Sequence, residues 1–317
     1  MQKEIGGYLS LELTAGNPFL HDTCYCVNSG RNALELILLQ IQNIKKLWIP
    51  YYTCEVILEP LRNHNISYDF YAIDKNLEIA DNLEIHSGEY LLLTNYFGIK
   101  DAYIRKMAKR YENRLIVDNA QAYFCSPLPG IYTFYSPRKF VGIPDGGIAS
   151  IDNVIDLGQY PIDSSWNRCS HLLKRLDLTA EAGYADFKHN SYTLVEQPIK
   201  QMSSLTRALL HSIDFEQIKE KRKDNFSFLH QKLGKRNALP IGEIGKDYMC
   251  PMVYPYYSED ENLRERLIDN KIFVATYWPN VLKWCNVGSC EYDLAVHILP
   301  IPIDQRYTKE EMRHIVH

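Results

Sequence analysis

With 317 residues, 46% of them hydrophobic and 23% charged, the chain can bury a large core, as one big domain with an appendage or as two moderate ones, without disulfide or metal staples. A net charge of -4 leaves no basic footprint for nucleic acid, which excludes that class of partner. No apolar run reaches the roughly 20 residues of a membrane helix, and the opening "MQKEIGGYLSLEL" lacks the apolar segment of a signal peptide, so a cytoplasmic protein with no membrane partner is expected.

From residue 20 to about 150, short β-rich runs alternate with helix-period runs, the pattern of an α/β fold with a mostly parallel sheet covered by helices. The expected strands are "TCYCV", "KLWIP", "SYDFYAI", "EYLLLTN", "RLIVDN", "IYTFY" and "GGIASI". Several are almost wholly apolar, as strands buried on both faces should be. Between them Leu34, Ile37, Leu38 and Ile41 recur at helical spacing, as do Ile104, Met107, Ala108 and Tyr111. In "TCEVILEPLRNH" a helix is expected with Pro60 near its end or at a kink.

After residue 160 longer helical runs take over: "WNRCSHLLKRLD", "PIKQMSSLTRALLHSI" and the charged "DFEQIKEKRKDNFSFLHQKL". The last reads as a long helix joining two domains, its charges forming a solvated face. The remainder, through "MCPMVYP", "NLRERLIDN", "IFVAT", "HILPIPI" and "TKEEMRHIVH", reads as a small C-terminal α/β unit. The expected division is 1–215 for a large domain and 216–317 for a small one. Eight cysteines, at 24, 26, 54, 125, 169, 250, 285 and 290, are scattered without a C-x-x-C pair. They read as reduced, packed thiols, with no metal site.

Three stretches carry chemistry. "NSGRNALELIL", residues 28 to 38, sets Ser29 and Gly30 between a strand and a helix, where free amides and the helix dipole favour an anion; equally, Ser29 caps the helix and Gly30 makes the turn. "RLIVDNAQAYF" ends a buried strand on Asp118, followed by Asn119 and Gln121, where a carboxylate meets a ligand in the crevice or caps a turn. "FYSPRKFVGIPDGG" places Lys139 beside Arg138; alone it is a surface lysine, whereas a neighbouring cation in a desolvated site helps lower an amine's pKa for nucleophilic work.

Their order suits pyridoxal 5'-phosphate. The phosphate takes the helix N-terminus, the carboxylate pairs with the protonated pyridine nitrogen, and the lysine holds the aldehyde as a Schiff base. At ~3 Å and an effective dielectric of about 20, that ion pair is worth on the order of 5 kcal/mol before desolvation.

At this point the chain resembles the fold-type-I pyridoxal phosphate enzymes, and among them the DegT/DnrJ-like sugar aminotransferases. The resemblance rests on "IGGY", "NSGRNAL", "IPYYTCEVIL", "IVDNAQA", "TFYSPRKFVGIPDGG" and "ILPIPIDQRYTKEEM", which together cover most of the chain. It implies a sheet with helices on both faces and a small C-terminal domain, working as a homodimer that passes an amino group, commonly from glutamate, to a keto-sugar or similar carbonyl. It implies Lys139 as covalent anchor and acid/base, Asp118 at the pyridine nitrogen and Gln121 near the ring hydroxyl. The phosphate would fall to Ser29, to backbone groups of Gly30 and Arg31, and to Thr133 or Ser136. Cys54 stands where the family stacks an aromatic on the ring, so stacking passes to Tyr52 or Tyr96 or is lost. "GYADFKHN" replaces the family's Gly-Tyr-Asn-x-Arg, so the asparagine reaching into the neighbouring subunit is missing. The aromatics of "ATYWPNVLKW", Trp278 and Trp284 among them, line a sugar or base pocket or, more simply, pack a domain interface. Lys139 and Asp118 serve a lyase or dehydratase of the same fold equally well, and a non-catalytic descendant that binds the cofactor or a sugar is the third reading.

Overall fold

The computed structural model describes residues 7–14 and 18–316; Ile5 and Gly6 of "IGGY" lie outside them. All seven expected strands form: β1 (Tyr25–Val27), β2 (Lys46–Pro50), β3 (Tyr68–Tyr71), β4 (Glu89–Thr94), β5 (Leu115–Asp118), β6 (Tyr132–Tyr135) and β7 (Gly147–Ser150). They make one sheet in the order β1-β7-β6-β5-β4-β2-β3. Strands β3, β2, β4, β5 and β6 run parallel, whereas β7 is antiparallel to both its neighbours, β6 and β1.

The period-2 alternation of the central strands divides the interior into two cores. Leu92 and Ile116 face Leu34, Leu36, Ile37 and Leu38 of α1 (Gly30–Gln40). Leu91, Leu93, Leu115 and Val117 face Ile104, Met107 and Tyr111 of α3 (Asp101–Tyr111) on the other side. Each fully buried Leu or Ile is worth about 1.5–3 kcal/mol relative to exposure, so these two faces hold the sheet. Helix α2 (Leu58–Asn63) adds Leu58 and Leu61 to the α1-side core. Here the expectation for Pro60 is corrected: Pro60 sits in the first turn of α2, after a separate 3-10 turn over Glu55–Ile57, where its missing N–H costs no helical bond.

Beyond β7 come α4 (Ser170–Asp177), α5 (Ala180–Thr193), α6 (Ser204–His211) and α7 (Phe215–Leu233), the last as long as its pattern predicts. The helical run expected from residue 198 begins only at Ser204, because Asn28, Cys26 and Pro161 capture the backbone of Lys200, Gln201 and Met202. The solvated face of α7 is interrupted by Arg222, which is 2% exposed. It falls on the same stripe as Ile218, Phe226 and Leu229, and its guanidinium donates to the carbonyls of Met252 (2.8 Å) and Phe140 (3.2 Å). The C-terminal segment adds α8 (Leu263–Asp269), α9 (Val281–Trp284), α10 (Cys290–His297) and α11 (Lys309–Val316) around an antiparallel pair, β8 (Val253–Tyr257) and β9 (Ile298–Pro302). The stretch "IFVAT", residues 272 to 276, forms no strand. Phe226 and Leu229 of α7 and Trp278, Leu294 and Ile301 of this segment share one apolar cluster with the α3 face of the sheet.

Strand β7 passes so close to the start of α1 that a Cβ on Gly147 would lie 2.6 Å from Gly30 N and closer still to the Ser29 carbonyl. Both neighbours are backbone, so neither can swing away. Gly147→Ala is therefore expected to destabilise the protein by about 3 kcal/mol or more, read as a lowered urea midpoint with an unchanged m-value.

Candidate active site

The parallel strands deliver their carboxyl ends to one edge of the sheet, which is where open α/β sheets bind ligands. Val27 leads into Ser29, Pro50 into Tyr52 and Cys54, and Thr94 into Asn95 and Tyr96; β5 ends on Asp118, and β6 leads into Ser136. Antiparallel β7 starts at the same edge with Gly147 opposite Val27.

Ser29 caps α1, accepting from Asn32 N at 3.2 Å and donating to Asn32 Oδ1 at 2.5 Å. The Ala33 amide goes to the Ser29 carbonyl at 2.9 Å. The first-turn amides of Gly30 and Arg31 are left at the helix mouth, because no helical carbonyl precedes them. The Arg31 side chain turns elsewhere, to Glu59 at 3.0 Å and the Leu194 carbonyl at 2.7 Å, so only its backbone serves that mouth. Ser136 arrives from β6 against the same spot, its Cβ 3.4 Å from where a Cβ on Gly30 would stand. Thr133 is not brought there. It lies inside β6, paired with Val117, and its hydroxyl donates to the Ile131 carbonyl at 3.3 Å.

Ser136 also opens the 3-10 turn Pro137–Lys139, in which the Lys139 amide donates back to the Ser136 carbonyl at 3.2 Å. The next carbonyl, of Phe140, is held by Arg222 at 3.2 Å and by Gln305 Nε2 at 2.9 Å. The lysine backbone is thus clamped on both sides while its side chain stays exposed. Arg222 was missed in the sequence, where it sits within a charge run; its place at helical spacing from Ile218, Phe226 and Leu229 was the signal that could have found it.

Asp118 is 7% exposed. Burial pushes its carboxyl pKa up, and the Lys139 ammonium and the Ala120 amide, 2.8 Å from Oδ1, pull it part of the way back. Beside it Gln121 accepts from the Phe97 amide at 2.7 Å through Oε1, while its buried Nε2 has no partner among the described residues. Beneath them Asn95 donates to Asp101 at 2.7 Å and to Asn119 at 3.1 Å, a buried polar layer that fixes the loops after β4 and β5.

Tyr52 and Tyr96 are fully buried, their rings 5.4 Å apart, with the Tyr96 hydroxyl on the Tyr52 carbonyl at 2.8 Å. Both rings belong to the core. Trp278 packs edge-on against Tyr52 at 5.2 Å and Trp284 lies 5.2 Å from Phe70, so these two tryptophans also serve packing. Cys54 is nearer the lysine. Burial raises its thiol pKa, and the charges of Lys139 and Asp118 both act on it. The aromatic beside Cys54 is Tyr277, from the C-terminal segment, half-buried with its ring 6.2 Å from Phe97. Burial and the neighbouring Cys54 thiol push the Tyr277 hydroxyl up to about 12. No local pattern in "ATYWPNVLKW" marks Tyr277 rather than its neighbours.

No family model matches the sequence, and no curated protein does. Solved structures match in shape. Spr1654 of Streptococcus pneumoniae, described as a sugar aminotransferase, superposes with a TM-score of 0.66 at 15% identity over 96% of this chain and 90% of its own. The sugar aminotransferase CalS13 of Micromonospora echinospora gives 0.62 at 15% identity over 92% and 85%, and DesV of S. venezuelae 0.65 at 15% over 92% and 82%. The chain has the sugar-aminotransferase fold. The likeness in fold covers 92% to 96% of the chain.

The buried Asp118 is a charge the protein holds at a cost. Its folded pKa lies above the unfolded value, so the folded state binds its proton more tightly, and stability falls as pH rises through the window between the two. Asp118→Asn, which keeps an oxygen for the Ala120 amide, is therefore expected to raise the thermal midpoint of the ligand-free protein at pH 7. The gain should vanish once the pH falls below the ordinary carboxylate range, and melting curves across pH check it.

Proposed function

We propose that the chain is a pyridoxal-phosphate-dependent aminotransferase that passes an amino group, with glutamate as donor, to a keto-sugar or similar carbonyl acceptor. The observation that carries this reading is the meeting of Lys139 and the buried Asp118 at the edge where α1 presents its free amides. The residues present fit the group. Asp118 is desolvated with a single amide on Oδ1, and Gln121 has an unspent buried Nε2 donor. The Ser136 side chain comes up against Gly30 at the helix mouth, its Oγ 3.6 Å from where a Cβ on Gly30 would stand. When bound, the cofactor supplies an aldehyde for covalent attachment and a ring that accepts an electron pair.

The rest is work for the chain's own side chains. Asp118 holds the proton on a pyridine nitrogen, and that added positive charge offsets the penalty its burial imposes. Gln121 Nε2 donates to a ring oxygen. Lys139 Nζ would form the covalent anchor and, as a free amine, would take and return the proton on the substrate carbon. Tyr277 and Cys54 line the wall on the C-terminal side. In this reading residues 1–215 are the cofactor-binding domain and 216–317 the small domain that covers it. The neighbouring sugar aminotransferases, one of them solved in both PLP and PMP forms, support the choice of acceptor and cofactor.

We infer further a homodimer built on α4 and α5. Leu173 and Leu176 of the first and Tyr184, Phe187 and Tyr192 of the second are between 47% and 83% exposed, an apolar area of the kind that marks an interface. His171 of α4 feels the charge of Arg138, so this surface adjoins the site.

Borohydride treatment of protein loaded with pyridoxal phosphate should fix the cofactor on the peptide carrying Lys139, and Lys139→Ala should lose both label and visible band; a label on another lysine would sink the assignment. Glutamate should convert the bound cofactor to its amine form. For the assembly, Leu176→Glu combined with Tyr184→Glu is expected to turn a dimer into a monomer in sedimentation velocity.

A further inference from the structure

Arg222 is an expensive residue for its place in α7. Its guanidinium is buried, and among the described residues its bonds go to neutral acceptors: the carbonyls of Met252 (2.8 Å) and Phe140 (3.2 Å) and Gln305 Oε1 (3.2 Å). A leucine on this stripe, beside Ile218, Phe226 and Leu229, would be buried without desolvating a charge. What the planar fork of an arginine adds is a fixed separation between two backbone segments.

Those segments lead to two different sides of the site. From Phe140 the path is one peptide to Lys139, and Gln305 Nε2 holds the same carbonyl at 2.9 Å. From Met252 it is longer but unbroken: the Met252 amide donates to the Phe97 carbonyl at 2.8 Å, and the Phe97 amide donates to Gln121 Oε1 at 2.7 Å. Gln121 is thereby fixed through its oxygen, with the partnerless Nε2 as its remaining donor. The path has little slack. A Cβ on Gly98 would meet the Gln121 carbonyl at 2.8 Å and the Cys250 carbonyl at 3.1 Å. Phe97 is held at φ 55, left-handed backbone that a bulky residue keeps only where its surroundings impose it. Asn225, three residues on along α7, fixes the loop that brings Gln305, donating to the carbonyls of Ile303 (3.2 Å) and Tyr307 (3.1 Å).

We infer that Arg222 is a positioning residue that sets the distance between Lys139 and Gln121, through Phe140 on one side and through Met252 and Phe97 on the other. The coupling of the two segments rests on these hydrogen bonds alone; its bearing on catalysis rests on the function proposed above. Arg222 acts through the backbone and takes no part in proton transfer.

Amide hydrogen exchange on the ligand-free protein tests the coupling, with Arg222→Met keeping the bulk and losing the fork. Exchange should quicken in both segments, at residues 139–141 and at Phe97 and Met252, while β4 and β5 keep parental rates. Equal acceleration throughout the chain would reduce Arg222 to a stabilising residue, and a parental rate in either segment would break the circuit; each result overturns the inference. Should Arg222→Met fail to fold, Arg222→Lys, which reaches one carbonyl but not both, should loosen one segment and spare the other, and loosening of neither would count against it. In protein loaded with pyridoxal 5'-phosphate, Arg222→Met should lower kcat about 100-fold, the cost of a misplacement of about 1 Å. KM for the amino donor should stay near the parental value, and the pH midpoint of the visible band should move, with Arg222→Lys restoring part of both changes. Parental kcat and midpoint in a protein whose two segments exchange faster would overturn the positioning role. If the parent took up no pyridoxal 5'-phosphate, the proposed function would fall, and coupled exchange would still support Arg222 as the link between the segments.

Discussion

Everything at the sheet edge hangs on one backbone contact, the passage of Gly147 across the Ser29–Gly30 peptide. It lets β7 enter the sheet between β1 and β6 directly against the start of α1. Because β7 is antiparallel, its first residue lies where its neighbours end. The helix mouth, the exit of β6 and the turn bearing Lys139 are therefore drawn together by the sheet itself. The Ser29 cap and the bonds from Asn28 and Asn32 to residues 197–200 then hold the mouth in place from its other side.

Around that contact the protein keeps two charges it does not satisfy. Asp118 is buried with the exposed Lys139 as its nearby cation, and Arg138 is half-buried with no hydrogen bond or ion pair among the described residues. Several other interior polar groups are matched: Asn95 with Asp101 and Asn119, Arg168 through Nη2 with Asp145 and Asp163, Arg222 with two carbonyls and Gln305. The contrast is informative because matched groups lower the cost of burial and unmatched ones raise it. Under the proposed function, the acid would meet a ligand's cationic ring.

The sheet was legible in the sequence because each strand is a short apolar run bounded by turn residues, and because buried parallel strands carry no ambiguity of face. The lysine, the aspartate and the helix start were legible through their order along the chain. What stayed hidden depended on partners distant in sequence. Residues 198–203 carry a helical pattern but are pulled straight by bonds to Cys26, Asn28 and Pro161. Arg222 hides in a charge run, and Thr133 and Ser136 are indistinguishable until the strand is seen to spend one hydroxyl and deliver the other. Tyr277 reaches Cys54 only because the C-terminal segment folds back over the edge.

The bond of 3.2 Å from the Lys139 amide to the Ser136 carbonyl has a consequence for what the protein would accept. It fixes the Ser136 and Lys139 backbones relative to each other, so under the proposed function the loop would act as a gauge of length between the helix mouth and the lysine. Under the proposed function a ligand would be measured from phosphate to aldehyde before its ring met Asp118, and one too long or too short would engage one end of the gauge only. Selection of the cofactor would then fall to backbone geometry, leaving the side chains of the C-terminal segment free to vary with the substrate.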